Sequence, residues 1–324
     1  MAKTTHVGAT HLSVLISLAV NCAETLALAV AAWVTGSVAL GAQAASNSAE
    51  VAVAVFLLIG VLSSARPPDE THPLGYGRER FFWSLFAALG IFVGGGGLAL
   101  EAAVRSALHP SPVDSYPIAY LVLVTTIALD AFALEIALRP LRKQAAGRGI
   151  SLRTHVQRST DPAVITVVVS EGCAVIGGVI ATAGLVVSQA TGSPMPDTVA
   201  SALIGLSLLV ASVLLLQTNR DLLTGRGVSL PMVREMRRII AAQQGVVDVP
   251  DLFAVVVGPS SFIVDGDVTF ADDLNVPAVE QTIMRSAAAL RERWPSIEYV
   301  YLTPVHQARP RRAERSSARA VGGK

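Results

Sequence analysis

The sequence has little charge and few side chains that bind metals through nitrogen or sulfur. Only 15% of its 324 residues are charged, against about a quarter in an ordinary soluble domain, whereas 52% are hydrophobic. The net charge of +1 gives no indication of a nucleic-acid partner. The two cysteines, Cys22 and Cys173, both lie in apolar runs and form neither a disulfide framework nor a Cys-x-x-Cys metal site. The mean hydropathy of +0.55 excludes most water-soluble enzymes.

Long apolar runs are what the sequence has in place of charge. A helix needs about 20 apolar residues to cross a bilayer core. The alternative, core helices of a large soluble protein, is disfavoured by the number of runs and the scarcity of charge. We therefore predict an all-α, six-helix transmembrane domain over residues 1–225. Its predicted spans are Leu12–Val34, Val38–Ser63, Phe81–Arg105, Pro117–Leu138, Pro162–Ser188 and Asp197–Gln217.

The basic residues indicate an orientation in the membrane. Arg66, Arg78 and Arg80 lie between the second and third runs, and six lysines and arginines lie between the fourth and fifth. The connections Thr35–Ser37 and Gln189–Pro196 carry none. Since short cytoplasmic loops are enriched in Lys and Arg, we expect both termini in the cytoplasm. The alanine- and arginine-rich composition favours a bacterial plasma membrane.

The composition changes after Arg226, where no further run is long enough to span a bilayer. Residues 226–306 are predicted to form a cytosolic α+β domain with the order αββαβ. Such a small domain has a marginal core, so dimerisation would stabilise it. Residues 307–324 are expected to be a basic, disordered tail. The predicted elements are Pro231–Gln244, Val246–Val257, Ser261–Phe270, Asp272–Trp294 and Ile297–Leu302.

A polar stripe runs along the second span. Gln43, Ser46, Asn47 and Glu50 follow one another at positions i, i+3, i+4 and i+7, which is one face of a helix. Such a stripe must face protein or water. The alternative is a buried polar network that only joins helices, but that role does not need a carboxylate.

Three further acidic residues fall inside apolar runs, where ionisable groups are costly and usually functional. Glu171 lies on the fifth span, and with Glu50 it supplies two carboxylates that would neutralise a divalent cation. Oxygen donors suit Mn²⁺ or Mg²⁺, and Zn²⁺ also accepts carboxylate. The same carboxylates would hold either protons or the ion. Asp130 is either a proton relay or the partner of an arginine. The same two roles are open to Glu24.

The segment from Thr71 to Leu85, THPLGYGRERFFWSL, resembles the signature that precedes the third span in the cation diffusion facilitator family. The turn Thr35–Ser37 and the loop Leu138–Lys143, with Asp161–Val164 after it, are similar to other parts of that family. The resemblance extends from about Leu12 to Pro304. It implies a homodimeric exporter of Zn²⁺ or a related divalent metal, coupled to inward proton flow, with a ferredoxin-like cytosolic domain.

The transport site of that family is a His or Asp followed four residues later by an Asp, on both the second and fifth spans. Those positions are Ser46 and Glu50, and Val167 and Glu171, in this chain. Both aspartates are therefore glutamates, and both earlier ligands are missing. Three alternatives follow: a harder ion bound through the oxygens that remain, a site completed by Glu24 or Asp130, or impaired transport.

We accordingly predict proton-coupled export of a divalent cation of the Zn, Mn, Fe or Co class. The chain is expected to be no enzyme and to hold no cofactor, the metal ion being its substrate. Its partners would be the ion, protons, the lipid bilayer and a second copy, with no nucleic acid. The alternative is a non-transporting membrane protein whose cytosolic domain senses metal or binds a partner. The predicted metal-site residues are Glu50, Glu171, Ser46 and Asn47, with Asp130 and Glu24 as proton relay or accessory groups.

Overall fold

A computed structural model describes residues 2–35, 38–109, 116–147, 149–152, 156, 161–259 and 261–306. The description leaves out the side chains of residues 2–10, 31, 32, 34, 35, 38–43, 45 and 46. The chain forms two compact units, Met1–Leu223 and Thr224–Lys324. The predicted turn at residues 36–37 and the predicted tail lie outside the described residues.

The first unit is helical. Five helical stretches in its described part are long and apolar enough to cross a membrane: His11–Val30, Glu79–Leu108, Tyr116–Gly147, Pro162–Thr191 and Met195–Leu223. The second predicted span is a helix, but the apolar stretch in its described part, Asn47–Ser63, is shorter. The count of six spans therefore stays a prediction. The elements are α1 (Ala2–Thr35), α2 (Val38–Ser63), α3 (Glu79–Gly90), a π-helix (Ile91–Gly97), α4 (Leu98–Leu108), α5 (Tyr116–Gly147), α6 (Pro162–Thr191) and α7 (Met195–Leu223).

Helix packing brings the acidic residues of distant segments together. Helix α1 contacts α2, α5 and α6, and α6 also contacts α5 and α7. One apolar core joins several of these helices, with Val14 from α1, Leu57 from α2 and Val167 from α6 among its fully buried members. The four helices that carry the predicted acidic groups therefore pack against one another.

Glycines allow the third span to lie close to its neighbours. A Cβ atom on Gly94 would come within 2.6 Å of the Ala49 Cβ in α2, and one on Gly96 within 2.6 Å of Leu209 Cδ2 in α7. The stretch is a π-helix, which the sequence did not predict. Because glycine has one of the weakest α-helix preferences, four in succession leave the backbone free to adopt the wider turn.

Helix α5 is longer than the apolar run that predicted it. It continues past Leu138 to Gly147 and contains Pro140. Two ion pairs lie along this extension, from Glu135 to Arg139 (3.4 Å) and to Arg142 (2.7 Å). Exposed pairs of this kind stabilise a helix only slightly, whereas the proline removes one backbone hydrogen bond. Part of the predicted basic loop is therefore helical.

The second unit contains a three-stranded sheet of order β1-β2-β3. Strands β1 and β2 are antiparallel, β2 and β3 are parallel, and Val264 of β2 lies opposite Ala254 and Val300. Met236, Ile240 and Leu290 pack against the sheet as part of its core. The order is αββαβ, while the ferredoxin-like classification stays a prediction. The elements are α8 (Leu230–Ala241), β1 (Val246–Gly258), β2 (Ser261–Phe270), α9 (Val276–Arg293) and β3 (Ile297–Pro304).

Candidate cation site

Glu171 lies on the buried face of α6 and is held by a residue from α1. Helix α6 begins at Pro162, and its N-cap Asp161 accepts a hydrogen bond from the Ala163 backbone N–H at 3.2 Å. Two turns further on, the Ser17 hydroxyl donates a hydrogen bond of 2.5 Å to Glu171 Oε1. Both side chains are buried, with 5% and 4% of their surface exposed. Val167, one turn before Glu171, is buried and apolar.

Helix α1 carries a buried polar face that the sequence reasoning did not recognise as a whole. Ser13, Ser17, Asn21 and Glu24 follow at intervals of four, four and three residues, and all four are buried. This spacing puts them on one side of a helix. Glu24 drew attention as an acidic residue in an apolar run, whereas the two serines did not. The i, i+4, i+8, i+11 pattern was the signal that would have found them.

The four predicted acidic side chains share one electrostatic environment. Glu24 interacts with Asp130, Glu50 and Glu171, and Glu50 interacts with Asp130 and Glu171. Glu24, Asp130 and Glu171 are buried, whereas Glu50 is exposed. Glu50 is within electrostatic range of two of the buried groups, Asp130 and Glu171. The structure therefore brings together acids from α1, α2, α5 and α6.

These acids have no basic partner within the described part of the chain. None of the four forms an ion pair there with lysine or arginine, and Glu24 Oε1 has no hydrogen-bond partner. The arginine partner suggested as one alternative for Asp130 is not found among those residues, because Arg139 and Arg142 pair with Glu135. Buried like charges without a counter-ion are costly, so Glu24, Asp130 and Glu171 need protons or cations to neutralise them.

Two of the four side chains in the polar stripe of α2 belong to the described residues. Asn47 is buried beside the exposed Glu50, while the side chains of Gln43 and Ser46 lie outside the described residues. Among residues that are described, no group of three or more His, Cys, Asp and Glu is close enough to hold a metal ion. A cation here would therefore bind to a pair of carboxylates, with amide and hydroxyl oxygens completing its coordination.

A buried ion pair lies where α2 ends and α3 and α6 begin. Arg80 Nη1 lies 2.7 Å from Asp161 Oδ2, and Arg80 Nε donates a hydrogen bond of 3.1 Å to Ser64 Oγ. Arg80 is only 3% exposed. It entered the sequence reasoning as a charge in a basic loop, and the structure places it inside the helical unit. The same Asp161 is the N-cap of α6, so one carboxylate serves two structural purposes.

The segment before α3 is a hydrogen-bonded turn centred on Asp69. Its carboxylate accepts hydrogen bonds from the hydroxyls of Thr71 and Tyr76, both at 2.7 Å, and from the backbone N–H of His72 at 2.7 Å. These bonds, that of the Thr71 hydroxyl above all, lower the pKa of Asp69 from 3.8 to about 2. Gly75 has a φ of +74°, which only glycine adopts at little cost.

We expect Asp69→Ala to loosen this turn. The bond after Arg78 should then be cut faster by trypsin in the purified, detergent-solubilised protein. Because the native pKa lies below the unfolded one, the stabilisation is present above about pH 4 and lost as the pH falls through 2. The Asp69 carboxylate should therefore remain ionised and accept these hydrogen bonds at every pH above about 5. The exposed Glu70→Ala is the matched control, and equal cleavage rates in both variants would contradict the assignment.

Comparison with known proteins gives the first unit a family context. Residues 14–224 match the model of the cation efflux transmembrane domain. The metal tolerance protein C4 of Arabidopsis thaliana is 31% identical over 262 residues, which cover 81% of this chain and 56% of that protein. The mitochondrial proton-coupled zinc antiporter SLC30A9 of Xenopus laevis is 30% identical over 240 residues, or 74% of this chain and 43% of that protein.

The chain spans about half the length of these two relatives. An uncharacterized transporter of Methanocaldococcus jannaschii is 22% identical over 295 residues, which cover 90% of this chain and 95% of that protein. The relatives are named as transporters or as a tolerance protein and not as enzymes, which agrees with the expectation from composition. The matched domain and the five apolar helices make this an integral membrane protein.

Proposed function

Because the chain belongs to the cation efflux family, we propose that it exports a divalent metal cation from the cytoplasm in exchange for protons. The names of its relatives, a metal tolerance protein and a proton-coupled zinc antiporter, support this activity. The observation that carries the proposal is the group of four acidic side chains from four helices, in one electrostatic environment, with no basic ion-pair partner among the described residues.

The charge balance of this group suits an exchanger. One divalent ion neutralises two carboxylates, and the other two then carry protons or remain next to water. We assign the ion to Glu50 and Glu171, with Asn47 and Ser46 as oxygen donors from α2. Asp130 and Glu24 are the proton relay or accessory groups. Alternating access to this region from the two sides of the membrane would move ion and protons in opposite directions.

The proposed substrate is a cation of the Zn, Mn, Fe or Co class. Zinc is favoured by the name of one relative. The oxygen-only donors we assign to the site favour a harder ion such as Mn²⁺, since zinc sites usually include nitrogen or sulfur. We propose a homodimer in a bacterial plasma membrane with both termini in the cytoplasm. The basic loops support this orientation, and the small second unit, which would gain stability from pairing, supports the dimer.

Proteoliposomes that contain the full chain test the proposal. With an outward-directed proton gradient, we expect at least one ion among Zn²⁺, Mn²⁺, Fe²⁺ and Co²⁺ to be taken up and the lumen to become less acidic. Dissipating the gradient with a protonophore should stop net accumulation. Protein-free liposomes are the control. No flux of any of these ions would overturn the proposal and favour a non-transporting sensor.

A further inference from the structure

Among the residues that the structure describes, Glu171 is the one acidic side chain of the four that accepts a hydrogen bond from another helix. Its donor, Ser17, lies 154 positions earlier and on α1. In the proposed function, Glu171 is a metal ligand with no polar partner one turn before it, because that position is Val167. The group that supports this carboxylate therefore comes from another helix.

The length of the glutamate side chain explains the contact. Glutamate has one more methylene group and one more rotatable bond than aspartate, so its carboxylate reaches further and has more conformations to lose on binding an ion. A hydrogen bond to one oxygen fixes the carboxylate and leaves the other oxygen available. Groups that orient ligands in this way commonly change metal affinity 10- to 100-fold when they are removed.

We propose that Ser17 is a positioning residue for the cation site, orienting the Glu171 carboxylate from the first helix. This inference rests on the proposed function. Ser17 takes over the orienting role that a second ligand on α6 would fill. Helix α1 thus contributes a side chain to the site without binding the ion itself.

Ser17→Ala should raise the KM for the transported ion by about tenfold or more, with a smaller change in the maximal rate. Ser17→Thr keeps the hydroxyl and should restore most of the affinity. The matched control is Ser212→Ala on α7, which removes a buried hydroxyl that bonds to the Leu209 carbonyl of its own helix. In a Glu171→Asp background, where the shorter side chain no longer reaches α1, Ser17→Ala should have little further effect.

Infrared difference spectroscopy gives a readout that does not depend on transport. The carboxyl band lost in Glu171→Gln should shift in Ser17→Ala but not in Ser212→Ala. Unchanged KM and an unshifted band in Ser17→Ala, with normal ion binding by the wild-type protein, would overturn this inference alone. An equal loss of ion affinity in the Ser17→Ala and Ser212→Ala variants would show that Ser17 acts only through packing. That result would also overturn the inference. Failure of the wild-type protein to bind any ion in calorimetry would overturn the proposed function and this inference together.

Discussion

Glu171→Gln should abolish metal transport. The substitution keeps the size of the side chain and its ability to accept the Ser17 hydrogen bond, but it removes the negative charge that attracts the ion. Since loss of a group that merely orients a ligand lowers affinity 10- to 100-fold, loss of the ligand charge should reduce flux at least about 100-fold. Flux into proteoliposomes under a pH gradient, together with ion binding by calorimetry, measures both effects.

Glu50→Gln should have an effect of the same size, because Glu50 lies within electrostatic range of Glu171 and is the second carboxylate that we assign to the ion. The double variant should be no worse than either single variant, since two groups that hold one ion act as a unit. Glu101→Gln is the matched control: this carboxylate lies in another apolar helix but is exposed and paired with Arg105. Unaltered flux in both the Glu50 and Glu171 variants would show that the ion binds elsewhere.

The sequence predicted much of the fold because apolar length and polar periodicity are local properties. Each of the six predicted runs lies within helical structure, and the α-helix and β-strand order of the second unit follows from short periodic segments. The π-helix at residues 91–97 was missed because consecutive glycines indicate only a low α-helix propensity and do not predict which other helix forms. The extension of α5 past Pro140 was missed because an interior proline usually ends or kinks a helix.

The acidic groups of the site could be found from the sequence, but the contacts among them could not. A carboxylate in an apolar run is conspicuous wherever its partner lies, so Glu24, Glu50, Asp130 and Glu171 were identified singly. Serine is common in membrane helices, and only the three-dimensional contact distinguishes Ser17 from the others. Arg80 resembled any loop arginine, since its partner Asp161 is 81 positions away.

Arg80→Ala should strongly destabilise the helical unit. The guanidinium is buried and bonds to both Asp161 and Ser64, so its removal breaks a buried ion pair and a hydrogen bond at once. Breaking one side of a buried ion pair typically costs about 3–5 kcal/mol, whereas an exposed pair contributes about 0–1 kcal/mol. Thermal loss of the monodisperse peak in size-exclusion chromatography should therefore occur at a clearly lower temperature than for the wild-type protein.

Two further variants separate the ion pair from the helix cap. Asp161→Asn keeps an oxygen that accepts the Ala163 N–H but removes the charge, so it should destabilise the protein nearly as much as Arg80→Ala. Asp161→Ala also removes the cap and should cost a further 1 kcal/mol or so. Arg142→Ala, which breaks an exposed pair with Glu135, should leave the transition almost unchanged. If Arg80→Ala and Arg142→Ala melt at the same temperature, the buried pair does not hold the beginnings of α3 and α6 together.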